Sequence, residues 1–181
     1  MSIPPSSSHD LMHSFCLRPD VRFESQGQDE KVILVLRAHP FTQIHWVFNT
    51  LALLILFGVL NFFYPFFLTG MEAVFANMFF LAVIFSYVFF NFSSWFFNVG
   101  VITNERVVDI DFQNLLYKEV TEAQLKKIED ITSKSGGFFE SFFNYGNLFV
   151  QTAGTEVNIE FLNITRPADV VRIIQDLTET I

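Results

Sequence analysis

Two apolar blocks dominate the pattern of hydrophobic and polar positions. Residues 44–68 and 73–98 are almost wholly hydrophobic and are separated only by a short connection ending in Gly70-Met71-Glu72. A helix crosses a bilayer with about 20 mostly apolar residues, and each block supplies at least that many, so the pattern predicts a transmembrane helical hairpin over 44–98. Ahead of it, Val32-Ile33-Leu34-Val35-Leu36 is an apolar, β-branched run of strand length that stops at Arg37-Ala38-His39-Pro40. Residues 29–43 are therefore read as a juxtamembrane strand segment. Residues 1–28 carry Pro4, Pro5 and Ser6-Ser7-Ser8 and bury too little apolar surface to offset ordering, so a disordered N-terminal tail is expected there.

After Asn98 the rhythm changes to strand-length segments divided by turn residues. Residues 106–110 and 115–120 flank Asp111-Phe112-Gln113-Asn114 and predict an antiparallel hairpin. Residues 127–132 are a further strand. Residues 146–152 and 156–161 flank Ala153-Gly154-Thr155 and predict a second hairpin, with Gly154 at the tight turn. The chain then enters a helix near Arg166-Pro167, where Pro suits a first turn. Val170, Ile173, Ile174, Leu177 and Ile181 give that helix one apolar face, which needs the sheet as partner. The fold class is α+β: a two-helix hairpin followed by a small domain, 99–181, of antiparallel strands and a closing helix.

Composition sharpens this picture in two places. Of the 25 Phe, 15 fall between Phe48 and Phe97, so the aromatic excess belongs to the hairpin. Residues 99–181 hold seven Lys or Arg against thirteen Asp or Glu, a net of −6 within the chain's −8. A domain so acidic is repelled by nucleic acid, which is excluded as a partner. Lys31, Arg37, Arg106 and Lys118 flank the hairpin while its turn has only Glu72, which predicts both termini in the cytoplasm and insertion in the cytoplasmic membrane. Trp46 and Trp95 mark the same end of the two antiparallel helices and are read as membrane-interface anchors. A lone cysteine, Cys16, excludes an internal disulfide.

Several segments together resemble the bacterial PH-like membrane proteins of the YdbS-like (DUF304) type. They are Asp29-Glu30-Lys31-Val32 with Arg37-Ala38-His39-Pro40, then Ile102-Thr103-Asn104-Glu105-Arg106, then residues 125–133 centred on Ile128-Glu129-Asp130-Ile131. Phe142-Phe143-Asn144-Tyr145-Gly146-Asn147 and Arg166-Pro167 complete the series. The resemblance implies a PH-like antiparallel β-barrel or sandwich capped by the C-terminal helix, and a module that binds lipids, peptides or proteins rather than one that catalyses a reaction. The chain departs from it at Gly137-Phe138-Phe139-Glu140-Ser141-Phe142-Phe143, where family members carry a Leu-Leu-Gly-like sequence.

Candidate chemistry is sparse. The hairpin contains no ionisable side chain between 46 and 71, or between 73 and 98, apart from tyrosines, which argues against an ion or proton path. Its amides, Asn61 and Asn77 among them, suit helix pairing within the hairpin or with a partner. Phe138, Phe139, Phe142 and Phe143 are either barrel core or a contact surface for a protein or lipid. Lys126, Lys127 and Lys134 are secondary candidates for phosphate contact, although Glu129 and Asp130 interrupt the cluster. His9, His13 and Cys16 have helical spacing but lack a fourth ligand. With no nucleophile elbow, Gly-rich phosphate loop or metalloprotease His-Glu pair, no catalytic, cofactor-binding or metal site is expected. The function expected is a non-enzymatic integral membrane protein whose PH-like domain binds a protein or lipid at the inner membrane surface. An accessory subunit of a larger membrane enzyme or export complex is the alternative, and a homo-oligomer is compatible with either.

Overall fold

Strands β1 (Phe15–Leu17), β2 (Val32–Leu36), β3 (Val99–Thr103), β4 (Arg106–Asn114) and β5 (Tyr117–Gln124) pair in chain order into one antiparallel sheet. The computed structural model describes residues 14–19, 22–23, 26–114, 117–153 and 158–179. Within it, Leu36 stands opposite Gly100 and Val32 opposite Thr103, so the strand before the long helices is hydrogen-bonded to the strand after them. Helices α1 (Ile44–Phe67) and α2 (Gly70–Phe97) are thus inserted into the connection of a β-hairpin. The 3-10 turn Pro40–Gln43 leads into α1, and Asn98 alone separates α2 from β3.

Helix α1 buries none of its residues and α2 buries only Ile84 and Ser93. Both helices are long and apolar enough to cross a membrane. The two pair through Phe57 and Phe80, whose ring centroids are 5.7 Å apart, and through the Asn49 amide, which donates to the Tyr87 hydroxyl at 3.1 Å. Asn61 and Asn91 instead donate to the carbonyls of Phe57 and Tyr87 on their own helices. Glu72 closes the start of α2 by accepting from the Thr69 N–H and hydroxyl, both at 2.8 Å.

A second sheet is formed by β6 (Ile128–Lys134), β7 (Tyr145–Thr152) and β8 (Ile159–Thr165), and α4 (Pro167–Glu179) packs on β6, β7 and the turn after β5. The core is shared: Leu34, Leu36, Ile102 and Val107 from the first sheet and Leu125 just after it meet Leu148, Val150, Ile159 and Phe161 from the second, with Val170 and Ile174 from α4. Period-2 alternation along each strand puts these residues on one face, and the helical spacing of Val170 and Ile174 does the same for α4. Of the two arrangements that the resemblance implies, barrel or sandwich, the structure forms an open sandwich. A 3-10 turn at Leu125–Lys127 carries the chain out of the first sheet and β6 pairs only with β7, so no closed barrel exists among the described residues.

Other expectations shift by a few residues. The first hairpin's strands run further than the sequence suggested, with Asp111 opposite Glu119 and Phe112 opposite Lys118, so 111–114 is strand rather than turn, and 115–116 lie outside the described residues. Of the turn expected at Ala153-Gly154-Thr155, Gly154 and Thr155 lie outside the described residues. The tail reading is corrected for Phe15–Leu17, which forms β1 with Cys16 buried against Val35. The cause is the outer face of the sheet: Val32, Val35, Val101 and Val108 form a second apolar cluster that Cys16 and Phe23 help to cover. Residues 1–13, including His9 and His13, lie outside the described residues.

Because neighbouring antiparallel strands are only about 5 Å apart, α1 and α2 are dispensable for closing the sheet. Replacing 40–97 with a short Gly-Asn turn should leave a chain that folds without detergent and melts cooperatively by circular dichroism. Residues 99–181 alone, lacking Leu34 and Leu36, which are fully buried, should show no cooperative transition.

Candidate functional site

The segment Phe138–Phe143, left without an assignment by its pattern, folds as the short helix α3. Gly137, at φ 110°, opens it in a conformation that suits glycine, and Asn144, at φ 52°, closes it in the left-handed region. The Asn144 carbonyl then accepts from the Arg166 N–H at 2.9 Å, which ties the end of α3 to the start of α4. Six residues are too few for a free helix. The stabilising contact is Phe41, in the turn before α1, whose ring stacks on Phe143 at 4.2 Å and on Phe139 at 5.7 Å. His39 stacks on Tyr145 at 5.3 Å beneath them, and its Nδ1 accepts from the Phe41 N–H at 3.1 Å, which fixes the turn. Burial holds the His39 imidazole below its ordinary pKa, in the neutral form this acceptor role requires.

The core reading of these rings is therefore not met. Phe138, Phe142 and Phe139 are 76%, 70% and 57% exposed, and Phe143, which faces Phe41, is 36% exposed. At roughly 200 Å² for a fully exposed ring, the four present about 480 Å² of apolar surface, the size of the largest patch on an ordinary monomer, which is often functional. The structure brings all four together at the root of the hairpin. Trp46 and Trp95 lie at that same end: Trp46 donates its indole N–H to Gln43 at 2.8 Å and Trp95 donates to the Ala38 carbonyl at 2.9 Å.

The lysines are not brought together. Lys126 and Lys127 lie in the turn after β5, with Lys126 lining a shallow cleft beside Glu30, Glu105 and Arg106. Lys134 lies at the far end of β6 with its ammonium 4.9 Å from the Phe149 ring centroid. This arrangement offers no shared phosphate cradle.

Two groups that sequence reasoning did not single out are more organised. The Glu30 carboxylate, 1% exposed, accepts from Arg106 Nε and Nη2, each at 2.9 Å, from the Thr103 hydroxyl at 2.8 Å and from the Gly27 N–H at 2.9 Å. Arg106 also pairs with Glu122. Burial alone would raise the Glu30 carboxyl, but the hydrogen bonds from Arg106, Gly27 and Thr103 outweigh it and hold it below the usual carboxylate range. Asn104 adds a backbone stitch, accepting from the Lys31 N–H at 2.6 Å. The sequence signal was available: Glu30 and Arg106 sit in the two segments that border the hairpin blocks, at the outer ends of the strands that must then pair.

The second group is acidic. Asp109 and Asp111 share one face of β4, and Asp111 faces Glu119 across the strand pair. Burial, reinforced by the Asp111 and Glu119 carboxylates, pushes Asp109 up to about 7. Asp111 is raised by burial and by Glu119. Both line a cleft of about 350 Å³ between the sheets and the hairpin root, together with Arg37, Gln43, Asn98 and Glu160.

A family model described as bacterial PH domain matches residues 47–178. Among solved structures, the chain is similar to a DUF1696 family protein with a pleckstrin-homology domain from Shewanella loihica PV-4, at 24% identity over 46% of this chain and 68% of that one, with a TM-score of 0.32. No curated protein matches.

Removing Arg106 leaves Glu30 buried and unpaired, so Arg106→Ala should cost about 3–5 kcal/mol in denaturant unfolding, and Arg106→Lys should recover only part of it for want of a bidentate fork. Glu30, being depressed, stabilises the fold above its unfolded pKa and loses that contribution as pH falls through its folded value. Asp109 has the opposite sign. Raised from 3.8 to about 7, it holds a proton that the unfolded chain has lost, so stability falls as pH rises across that window. Asp109→Asn should flatten the fall, and thermal melts at pH 5 and pH 8 should differ by several degrees less than in the wild type, since about two pH units at one proton is roughly 2–3 kcal/mol and each kcal/mol is about 2–4 °C for a chain of this length.

Proposed function

We propose that this chain, which belongs to the bacterial PH domain family, is a non-enzymatic integral membrane protein of the cytoplasmic membrane whose PH-like domain binds a protein or lipid at the inner surface. A bacterial PH domain is a general binding module, and two helices of membrane-crossing length and composition are present. The observation that carries the reading is the pairing of β2 with β3 across the hairpin. It leaves no flexible linker on either side, so a domain attached in this way stands at a set height and orientation above the bilayer, and its effective concentration towards neighbours in that plane is high. The excess of Lys and Arg beside the hairpin ends supports cytoplasmic termini. The exposed rings of α3 are the best candidate contact, since they stand at the end of the domain where the hairpin begins.

The alternative, an accessory subunit of a membrane complex, is supported by Asn77, whose side-chain oxygen is buried with no hydrogen-bond partner among the described residues. It is the weaker reading because the Asn61 amide already bonds the Phe57 carbonyl at 2.9 Å.

Two measurements test the proposal. The tagged full-length protein should resist alkaline carbonate extraction from native membranes. Cross-linking and mass spectrometry after gentle detergent purification should then find one near-stoichiometric protein or one enriched lipid, and extraction by carbonate would overturn the membrane reading. Asn61→Leu with Asn77→Leu should leave any co-purifying protein bound; its loss would favour the accessory-subunit reading.

A further inference from the structure

The rings of α3 divide into a seating face and a free face. Phe143 and Phe139 lean on Phe41, while Phe138 and Phe142 stack on each other at 6.0 Å and are the two most exposed of the four. Phe41 lies three residues before Ile44, the first residue of α1, so the helix occupies the level at which the hairpin begins. Helix α1 has 24 residues, or about 36 Å at 1.5 Å each, against a hydrocarbon core of about 30 Å. Its first turn, with Trp46, then falls in the headgroup layer, and α3 falls there beside it.

We infer that the occupant of the free face of α3 is the bilayer itself: Phe138 and Phe142, with the exposed edge of Phe139, insert at the boundary between headgroups and acyl chains as a third membrane attachment next to the two spans. This rests on the membrane-spanning reading of the hairpin and adds to it. The chemistry of α3 fits that layer. Four of its six residues are Phe, and its one charged residue, Glu140, has its carboxylate turned back to accept from the Gly136 N–H. No cation lies on α3, so attachment is by apolar burial rather than by phosphate binding. That suits a domain of net charge −6, which anionic headgroups repel. The seat on Phe41 fixes α3 to the root of α1, whose depth the spans determine.

The test uses the full-length chain reconstituted in phosphatidylcholine vesicles, with Phe142→Cys or Phe138→Cys labelled by an environment-sensitive fluorophore. Cys16 is 2% exposed and stays unlabelled in the folded protein, and both Phe sites are too exposed for substitution to disturb the core. Glu129→Cys, at the opposite end of β6 and β7, is the reference. The expected result is blue-shifted emission at 142 and 138 and several-fold stronger quenching there than at 129 by lipid carrying a nitroxide near the top of its acyl chain. Quenching at 142 and 138 no greater than at 129, in protein that resists carbonate, would overturn the insertion and leave α3 as a surface for a protein. Release of the protein by carbonate would overturn the membrane reading and the inference together.

Discussion

The pairing of β2 with β3 is the constraint on which the rest depends. Two strands that neighbour each other in a sheet must begin and end within one strand spacing, and here the chain between them is a pair of long apolar helices. The helices are therefore held at their roots by a ladder of backbone hydrogen bonds. The Glu30–Arg106 pair closes the other end of the ladder, where Lys31 also donates to Asn104. Each partner of that pair comes from a different side of the hairpin, so the ladder is fixed at the end remote from the helices by a buried charge and at the near end by Leu36 and Gly100. A glycine is needed at the latter position because a Cβ there would run into the Phe161 ring of the second sheet.

The same constraint explains the distribution of aromatic residues at the hairpin root. A ladder that ends at Leu36 and Val99 leaves a few residues on each side to turn the backbone from strand to helix. On one side this is done by His39 and the 3-10 turn carrying Phe41; on the other, α2 runs to Phe97 and only Asn98 intervenes, its side chain accepting from the Phe112 N–H at 2.6 Å. Arg37 lies over the Phe96 ring at 4.7 Å and the Trp95 indole reaches the Ala38 carbonyl, so the two roots are bonded to one another as well as to the sheet. Helix α3 adds its rings to this group through Phe41 rather than through the core.

The main elements were legible because they rest on local periodicity. The strand over 32–36, the two long helices and the final helix follow from runs and spacings that need no knowledge of partners. Barrel and sandwich could not be told apart, since the choice between β5–β6 pairing and a break depends on the turn at Leu125–Lys127, whose residues carry no strong turn signal. Strand β1 was hidden for a similar reason: Phe15, Cys16 and Leu17 sit in a polar context, and only the apolar outer face formed by Val35, Val101 and Val108 gives them a place. At the candidate site, the four Phe were legible as unusual, but their exposure was not, because the same run would serve as core or as surface. Phe41 decides it, and a single Phe beside a long apolar block carries no signal of its own. The Glu30–Arg106 pair was half legible: both residues stood in segments that the family resemblance singled out, but a bond across the whole hairpin cannot be read from spacing.

What the hairpin does with its polar groups bears on the kind of function the chain can have. A helical pair that conducts ions or moves a substrate needs polar groups turned towards a path. Here Asn49 bonds Tyr87 across the pair, and Thr50, Asn61 and Asn91 bond the carbonyls of their own helices. Those groups are satisfied within the hairpin, Asn77 Oδ1 being the exception among its described residues, and the large apolar side chains left outside are Phe, Leu, Ile, Val and Met. On the membrane-spanning reading, a hairpin so arranged is suited to anchoring. Anchoring through two strands of a sheet differs from tethering through a linker, because the sheet passes the tilt of the helices directly to every loop and edge of the domain. The acidic face of β4 and the cleft lined by Asp109 and Asp111 then keep a set distance from the hairpin root. On the membrane-spanning reading, whatever the domain binds must approach it in that one orientation, which makes the rigidity of the β2–β3 ladder a determinant of partner choice as well as of stability.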